Sequence, residues 1–265
     1  MATTAAMNNT TAGPAAAALK ALSPNQIAFI QSLPKAELHA HLNGSIPLAA
    51  LQHLAKEYLS RDTLSSSSNS ISNEYMRAEV KKFSDGIQLE KIDDFFVLFP
   101  AIYALTATRA GLAYATSAVL SEFLDGDSPQ CTYLELRSTP KETEEMTREE
   151  YLRTILDEVD KYPKERAALI ISLDRRMSLE VMKECVEVAV KLRREERRVV
   201  GIDLCGDPKA GDVNTFEPIF EQVRKAGLGI TLHIAEVCRR LLLHQMRQFL
   251  TLEMSRLITA LSLKL

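Results

Sequence analysis

Two kinds of hydrophobic patterning alternate along the chain. Short apolar runs at 36–41, 132–137, 168–173, 199–204 and 229–233 read as strands. Between them lie longer helical stretches, at 48–59, 93–105, 110–124, 148–161, 178–195 and 218–226; the last two carry apolar residues three and four apart. A further short helix is expected from Ser23, which suits a cap, with Pro24 at the first helical position. The Ser/Asn tract at 65–72 reads as a loop, and the Ala/Thr-rich stretch 1–23 as disordered. Strands separated by helices imply parallel βαβ units. Polar residues recur where these strands end: His39, His41, Arg137, Asp174, Asp207 and His233. Functional groups gathered at that end of successive strands fit a (β/α)8 TIM-type barrel, of which about five of the eight strands are legible. A doubly wound sheet would gather them too, but no G-x-G-x-x-G or Walker-type glycine loop follows any strand.

Composition narrows the function classes. In 265 residues, 46% are apolar, enough for a sizeable core, and the net charge of −3 comes with no basic stripe, so no nucleic-acid partner is expected. No apolar run reaches membrane-spanning length, and the N-terminal stretch lacks both the apolar core of a secretory signal and the arginines of a transit peptide. Cys131, Cys185, Cys205 and Cys238 are widely spaced and form no C-x-x-C pair, which suits a reduced, cytoplasmic setting.

The sharpest chemical signal is His39 and His41. Side chains two apart on a strand share a face, so two imidazoles at a barrel mouth could chelate one metal ion, and imidazole suits zinc. Alone, such a pair reads more readily as two unrelated histidines. His233, at the end of another strand, would bring the ligands to three, the number usual for catalytic zinc. Glu236, three residues on, would be placed for general acid–base work.

The wording around these residues resembles the adenosine deaminase family, in five ordered motifs between 33 and 237. They are L-P-K-A-E-L-H-A-H-L-N-G-S from Leu33, Y-L-E-L-R-S-T-P from Tyr133, L-D-R-R from Leu173, G-I-D-L-C-G-D-P from Gly201 and L-H-I-A-E from Leu232. H-A-H-L-N-G-S and R-S-T-P look most like the adenosine-deaminase-like branch, whose members convert N6-methyl-AMP to IMP and methylamine. The resemblance implies one zinc ion on His39, His41 and His233, with Glu236 protonating the purine at N1. It implies a backbone hydrogen bond from Gly206 to the purine edge. Contacts to sugar and phosphate would come from His41, Asn43, Ser138, Thr139, Pro140, Lys141 and Asp174. Asn43 stands where nucleoside-specific relatives usually have Asp; a neutral amide removes repulsion against a 5′-phosphate, and Lys141 could pair with it. The alternative for Asn43 is a cap of the next turn. Tyr103 stands where His is expected; its phenol could contact substrate or simply pack on the barrel mouth.

Past 237 the resemblance ends. Neither an H-x-x-H-G-like strand nor a final strand with a paired Asp, both expected of the family, occurs, and 238–265 reads as an amphipathic helical tail outside the family pattern. The expected domains are therefore a disordered 1–23, a partial deaminase barrel over 24–237, and the tail. The expected protein is a hydrolase of purine nucleotide metabolism, monomeric when complete. As a C-terminally truncated chain it is expected to be inactive and aggregation-prone. The alternatives are an adenosine or adenine deaminase, or a non-catalytic product.

Overall fold

The computed structural model describes residues 14–61, 71–85, 87, 92–127, 129–207, 210–211 and 213–233. The chain divides into two compact units, 1–35 and 36–265. In the first unit, α1 spans Pro14–Ala21 and α2 spans Pro24–Ser32. Ser23 caps α2 as expected, in a capping box: its hydroxyl accepts from the Gln26 N–H, and the Gln26 side chain accepts from the Ser23 N–H at 2.8 Å. The helix α1 corrects the expectation of disorder as far as residues 14–21 are concerned. Its sequence, PAAAALKA, joins a first-position proline to the residue with the highest helix propensity, and the low complexity that suggested disorder is helix-favouring.

The second unit begins with β1 (Ala36–His41), a 3₁₀ turn (Leu42–Gly44) and α3 (Leu48–Arg61). Then come α4 (Ile71–Asp85), α5 (Ile92–Phe96), α6 (Phe99–Leu105), α7 (Arg109–Leu124) and β2 (Tyr133–Ser138). The remainder alternates: α8 (Arg148–Val159), β3 (Ala167–Asp174), α9 (Leu179–Arg194), β4 (Val199–Cys205), α10 (Val213–Lys225) and β5 (Gly229–Leu232). All five expected strands form, each within two residues of its expected limits. They make one parallel sheet in the order β1-β2-β3-β4-β5, a half-barrel of the (β/α) TIM type.

The helices depart from expectation in three places. The stretch 93–105 is two helices, because Pro100 lacks an N–H and cannot continue α5; it sits instead in the first turn of α6. The last expected helix starts earlier, at Val213, and carries Pro218 inside it; burial of Phe216, Ile219, Phe220 and Val223 on one face outweighs the lost hydrogen bond. Ile71 and Ser72, expected in a loop, open α4, which buries Val80 and Phe83 three apart. The expected 238–265 helix lies outside the described residues.

Strand alternation splits the sheet into two faces. Leu134, Leu136, Leu169, Ile171, Leu173, Ile202, Leu204 and Ile230 belong to the core shared with the helices. The opposite face looks into the barrel and carries polar residues among apolar ones. Register sets three of them side by side: Ser172 pairs with Asp203, and Asp203 with Thr231.

Candidate metal and nucleotide site

β1 delivers His39 and His41 to the C-terminal end of the sheet, and His233 follows directly on β5. Those strands lie at opposite ends of the described strand order, yet the sheet curls enough to bring the imidazoles together. Nε2 of His233 lies 2.8 Å from Nε2 of His39 and 3.0 Å from Nε2 of His41. The three form a group able to hold a metal ion. Converging imidazole lone pairs repel one another unless a cation lies between them. Zinc–nitrogen bonds of about 2.0–2.1 Å in tetrahedral geometry would place such nitrogens roughly 3.3 Å apart, so the cluster fits the ion. Burial, then the neighbouring His233, push the His41 imidazole down from 6.5 to about 4, so at neutral pH it is uncharged, the form that ligates.

His233 is fixed on three sides. Its N–H donates to the Leu204 carbonyl at 2.9 Å, extending the β4–β5 ladder past the assigned strand. Its carbonyl accepts from Arg175 Nη2 at 2.8 Å. Its Nδ1 meets Asp203 Oδ1 at 3.0 Å, the carboxylate–histidine arrangement that leaves Nε2 free as a ligand. Asp203 is fully buried and also accepts from Thr231 Oγ1 at 2.8 Å and Ser172 Oγ at 3.1 Å, with Arg137 Nη1 3.2 Å away. Burial alone would raise this carboxyl, but its bond to His233 and the electrostatic pull of His233 and Arg137 outweigh that and hold it below the usual range. Asp203 received no role from the sequence. Its signal was there, as the one charge inside the apolar run V-V-G-I-D-L-C, on the face the barrel turns inward.

A second group lies at the ends of β2, β3 and β4. Lys141 Nζ sits 3.7 Å from the Tyr103 ring centroid, within cation–π range. Asp174 accepts from the Arg176 backbone and guanidinium, at 2.9 Å and 2.5 Å for the closest contact to each oxygen. Burial lowers Lys141 against the pull of Asp174, while Arg176 holds Asp174 below its usual range despite burial. Gly206 adjoins Asp174 at φ +93°, and a Cβ there would stand 2.4 Å from Asp174 Oδ1, so the position needs glycine. Thr139 Oγ1 lies 3.8 Å from Cys205 Sγ, and burial pushes that thiol up to about 12.

Asn43 and Ser138 join through a third residue. Buried Tyr151 contacts Ser138 Oγ at 3.0 Å and donates to Asn43 Oδ1 at 3.4 Å, while Asn43 Nδ2 donates to Thr106 Oγ1 at 3.2 Å. Asn43 itself lies inside the 3₁₀ turn Leu42–Gly44, whose N-cap residue His41 makes no side-chain cap bond. Tyr151 and Thr106 were not found from sequence; Tyr151 reads there as an ordinary helix residue, and Thr106 falls between two expected helices. Pro140 is buried, and Glu236 lies outside the described residues.

With fold and site described, comparison with known proteins gives the class. The adenosine deaminase family model matches residues 34–257, and the chain belongs to that family. The match runs past 237, into residues outside those described. The chain is 34% identical over 216 residues to the adenosine deaminase-like protein of Drosophila melanogaster, covering 79% of this chain and 59% of that protein. It is 33% identical over 227 residues to the mouse N6-methyl-AMP deaminase, covering 82% and 58%. A crystal structure of Arabidopsis ADAL complexed with IMP superposes with a TM-score of 0.66 at 30% identity, covering 84% of this chain and 64% of that one. The chain thus spans about three-fifths of the length of these curated relatives. Among the described residues, no helix is long and apolar enough to cross a membrane.

Proposed function

We propose that this chain serves a zinc-dependent hydrolytic deamination of N6-methyl-AMP, or a related adenine nucleotide, giving IMP and methylamine in the cytoplasm. The observation that carries the reading is the convergence of His39, His41 and His233, with Asp203 behind His233. One zinc ion held by these three histidines would supply a water-derived nucleophile near neutral pH. Asp203 keeps the His233 proton on Nδ1 and so keeps Nε2 available. Glu236 passes a proton to purine N1, neutralising charge as C6 is attacked. Gly206 offers its backbone N–H to the purine edge; its positive φ and the nearby Asp174 are consistent with a built turn there. His41, Asn43, Tyr103, Ser138, Thr139, Pro140, Lys141 and Asp174 hold the sugar and 5′-phosphate. The cationic Lys141 over Tyr103 supports a phosphate subsite, as does the name of the mouse relative.

The test compares kcat/KM for N6-methyl-AMP, AMP, N6-methyladenosine, adenosine and adenine, in a form of the protein with measurable turnover. N6-methyl-AMP should be preferred. A higher value for an unphosphorylated substrate would assign the protein instead as an adenosine or adenine deaminase.

A further inference from the structure

Arg137 lies on the barrel-facing side of β2, 5% exposed, and no part of the chemistry above uses it. Burying a guanidinium is costly unless its partners compensate. Its contacts are unusual in what they join. One nitrogen, Nη1, lies 3.2 Å from Asp203 Oδ1 and 3.4 Å from Thr231 Oγ1. The other, Nη2, donates to the Leu38 carbonyl, the peptide oxygen immediately ahead of His39.

That carbonyl belongs to an irregularity in β1. Glu37 pairs with Leu134 and Ala40 with Leu136, so three steps along β1 match two along β2: one residue is extra. A bulge of this kind takes backbone groups out of the ladder and re-aims the side chains around it. Here both exposed groups find side-chain partners. The His39 N–H donates to Glu37 Oε1 at 2.6 Å, and the Leu38 carbonyl accepts from Arg137. The bulge sits where β1 must turn His39 toward His41 and His233. On its far side, the same guanidinium faces the carboxylate that holds His233 Nδ1.

We propose that Arg137 is a positioning residue that sets both metal-ligating strand ends at once, fixing the β1 bulge ahead of His39 and the Asp203 carboxylate behind His233. The inference rests on the metal reading above and goes beyond it, since Arg137 touches neither metal nor substrate. Two N–H-bearing nitrogens splayed in one plane are what the task requires. A lysine at 137 could meet Asp203 or the Leu38 carbonyl, but its single nitrogen cannot occupy both positions.

The test uses the full 265-residue chain with zinc and, separately, cobalt(II), whose visible bands report ligand geometry. Zinc affinity is measured against a competing chelator for the unaltered protein, Arg137→Met, Arg137→Lys and Ser172→Ala. Loss of partners behind metal ligands typically costs about 10–100-fold in affinity, so Arg137→Met should bind zinc that much more weakly and shift the cobalt bands. Arg137→Lys should fall between it and the unaltered protein. Ser172→Ala removes a different bond to Asp203 without touching β1, and should shift the cobalt bands less than Arg137→Met. Unaltered zinc affinity and cobalt bands in folded Arg137→Met would overturn the proposal, even if its metal-free melting temperature dropped, since that is a purely structural role. If Arg137→Met does not fold, the same result in Arg137→Lys overturns it. Failure of the unaltered protein to take up either ion would instead overturn the metal reading itself.

Discussion

Around His233 the polar groups are buried and multiply bonded; around Lys141 they are half-open to water. Asp203 is 0% exposed and meets four side chains from three strands, β2, β3 and β5 with its end. At the other end of the site, Asp174 is held chiefly by Arg176, itself 68% exposed, and Lys141 is held over one tyrosine ring. In a buried, low-dielectric setting each partner matters, because its loss leaves a charge uncompensated. Near water the same contacts are screened, and losing one costs little. The histidine end is therefore built to fix geometry in advance. The other end is less constrained, which suits the phosphate subsite proposed there.

The contrast can be broken most directly at the histidine end. His41→Ala should reduce zinc from about one ion per chain to below roughly a tenth, since two histidines fall short of the usual three protein ligands; unchanged stoichiometric zinc on elemental analysis would remove His41 from the ligand set. Glu236→Gln, in a form with measurable turnover, should keep its zinc and lose about 10²–10⁴-fold in kcat. A fall of less than about tenfold would mean that another group donates the proton.

At the open end the expected effects are smaller. Gly206→Ala forces a Cβ against Asp174 at a positive φ and should lower stability by about 1–3 kcal/mol, read by urea denaturation. An unchanged midpoint would show that the turn yields at no cost, and that this end is softer than described. Asn43→Asp should lower the kcat/KM ratio of N6-methyl-AMP to N6-methyladenosine by roughly tenfold through repulsion of the phosphate. Asn43 is buried between Thr106 and Tyr151, so its stability must be followed as well. A constant ratio would make Asn43 a packing residue of the buried half and redraw the boundary between the two ends.

Much of this was legible in the order of residues. Strand positions follow from apolar runs, and the capping of α2 from Ser23, because these are local preferences of backbone and side chain. His39 and His41 stood out only once His233 joined them, because three imidazoles at strand ends make up the ligand number usual for catalytic zinc. The partners of those histidines were not legible. Asp203 meets His233 across 30 residues, and Arg137 reaches back 99 residues to the Leu38 carbonyl. Which side chain meets which depends on strand register, on the extra residue in β1 and on the curl of the sheet, and none of these has a local signature. The sequence by itself determined the five strands and which side chains stand at their ends. Tertiary structure decided that Ser172, Asp203 and Thr231 share one row, that Arg137 spans it, and that three imidazoles from the two ends of the described sheet face one another, because only long-range pairing fixes distances between residues far apart in the chain.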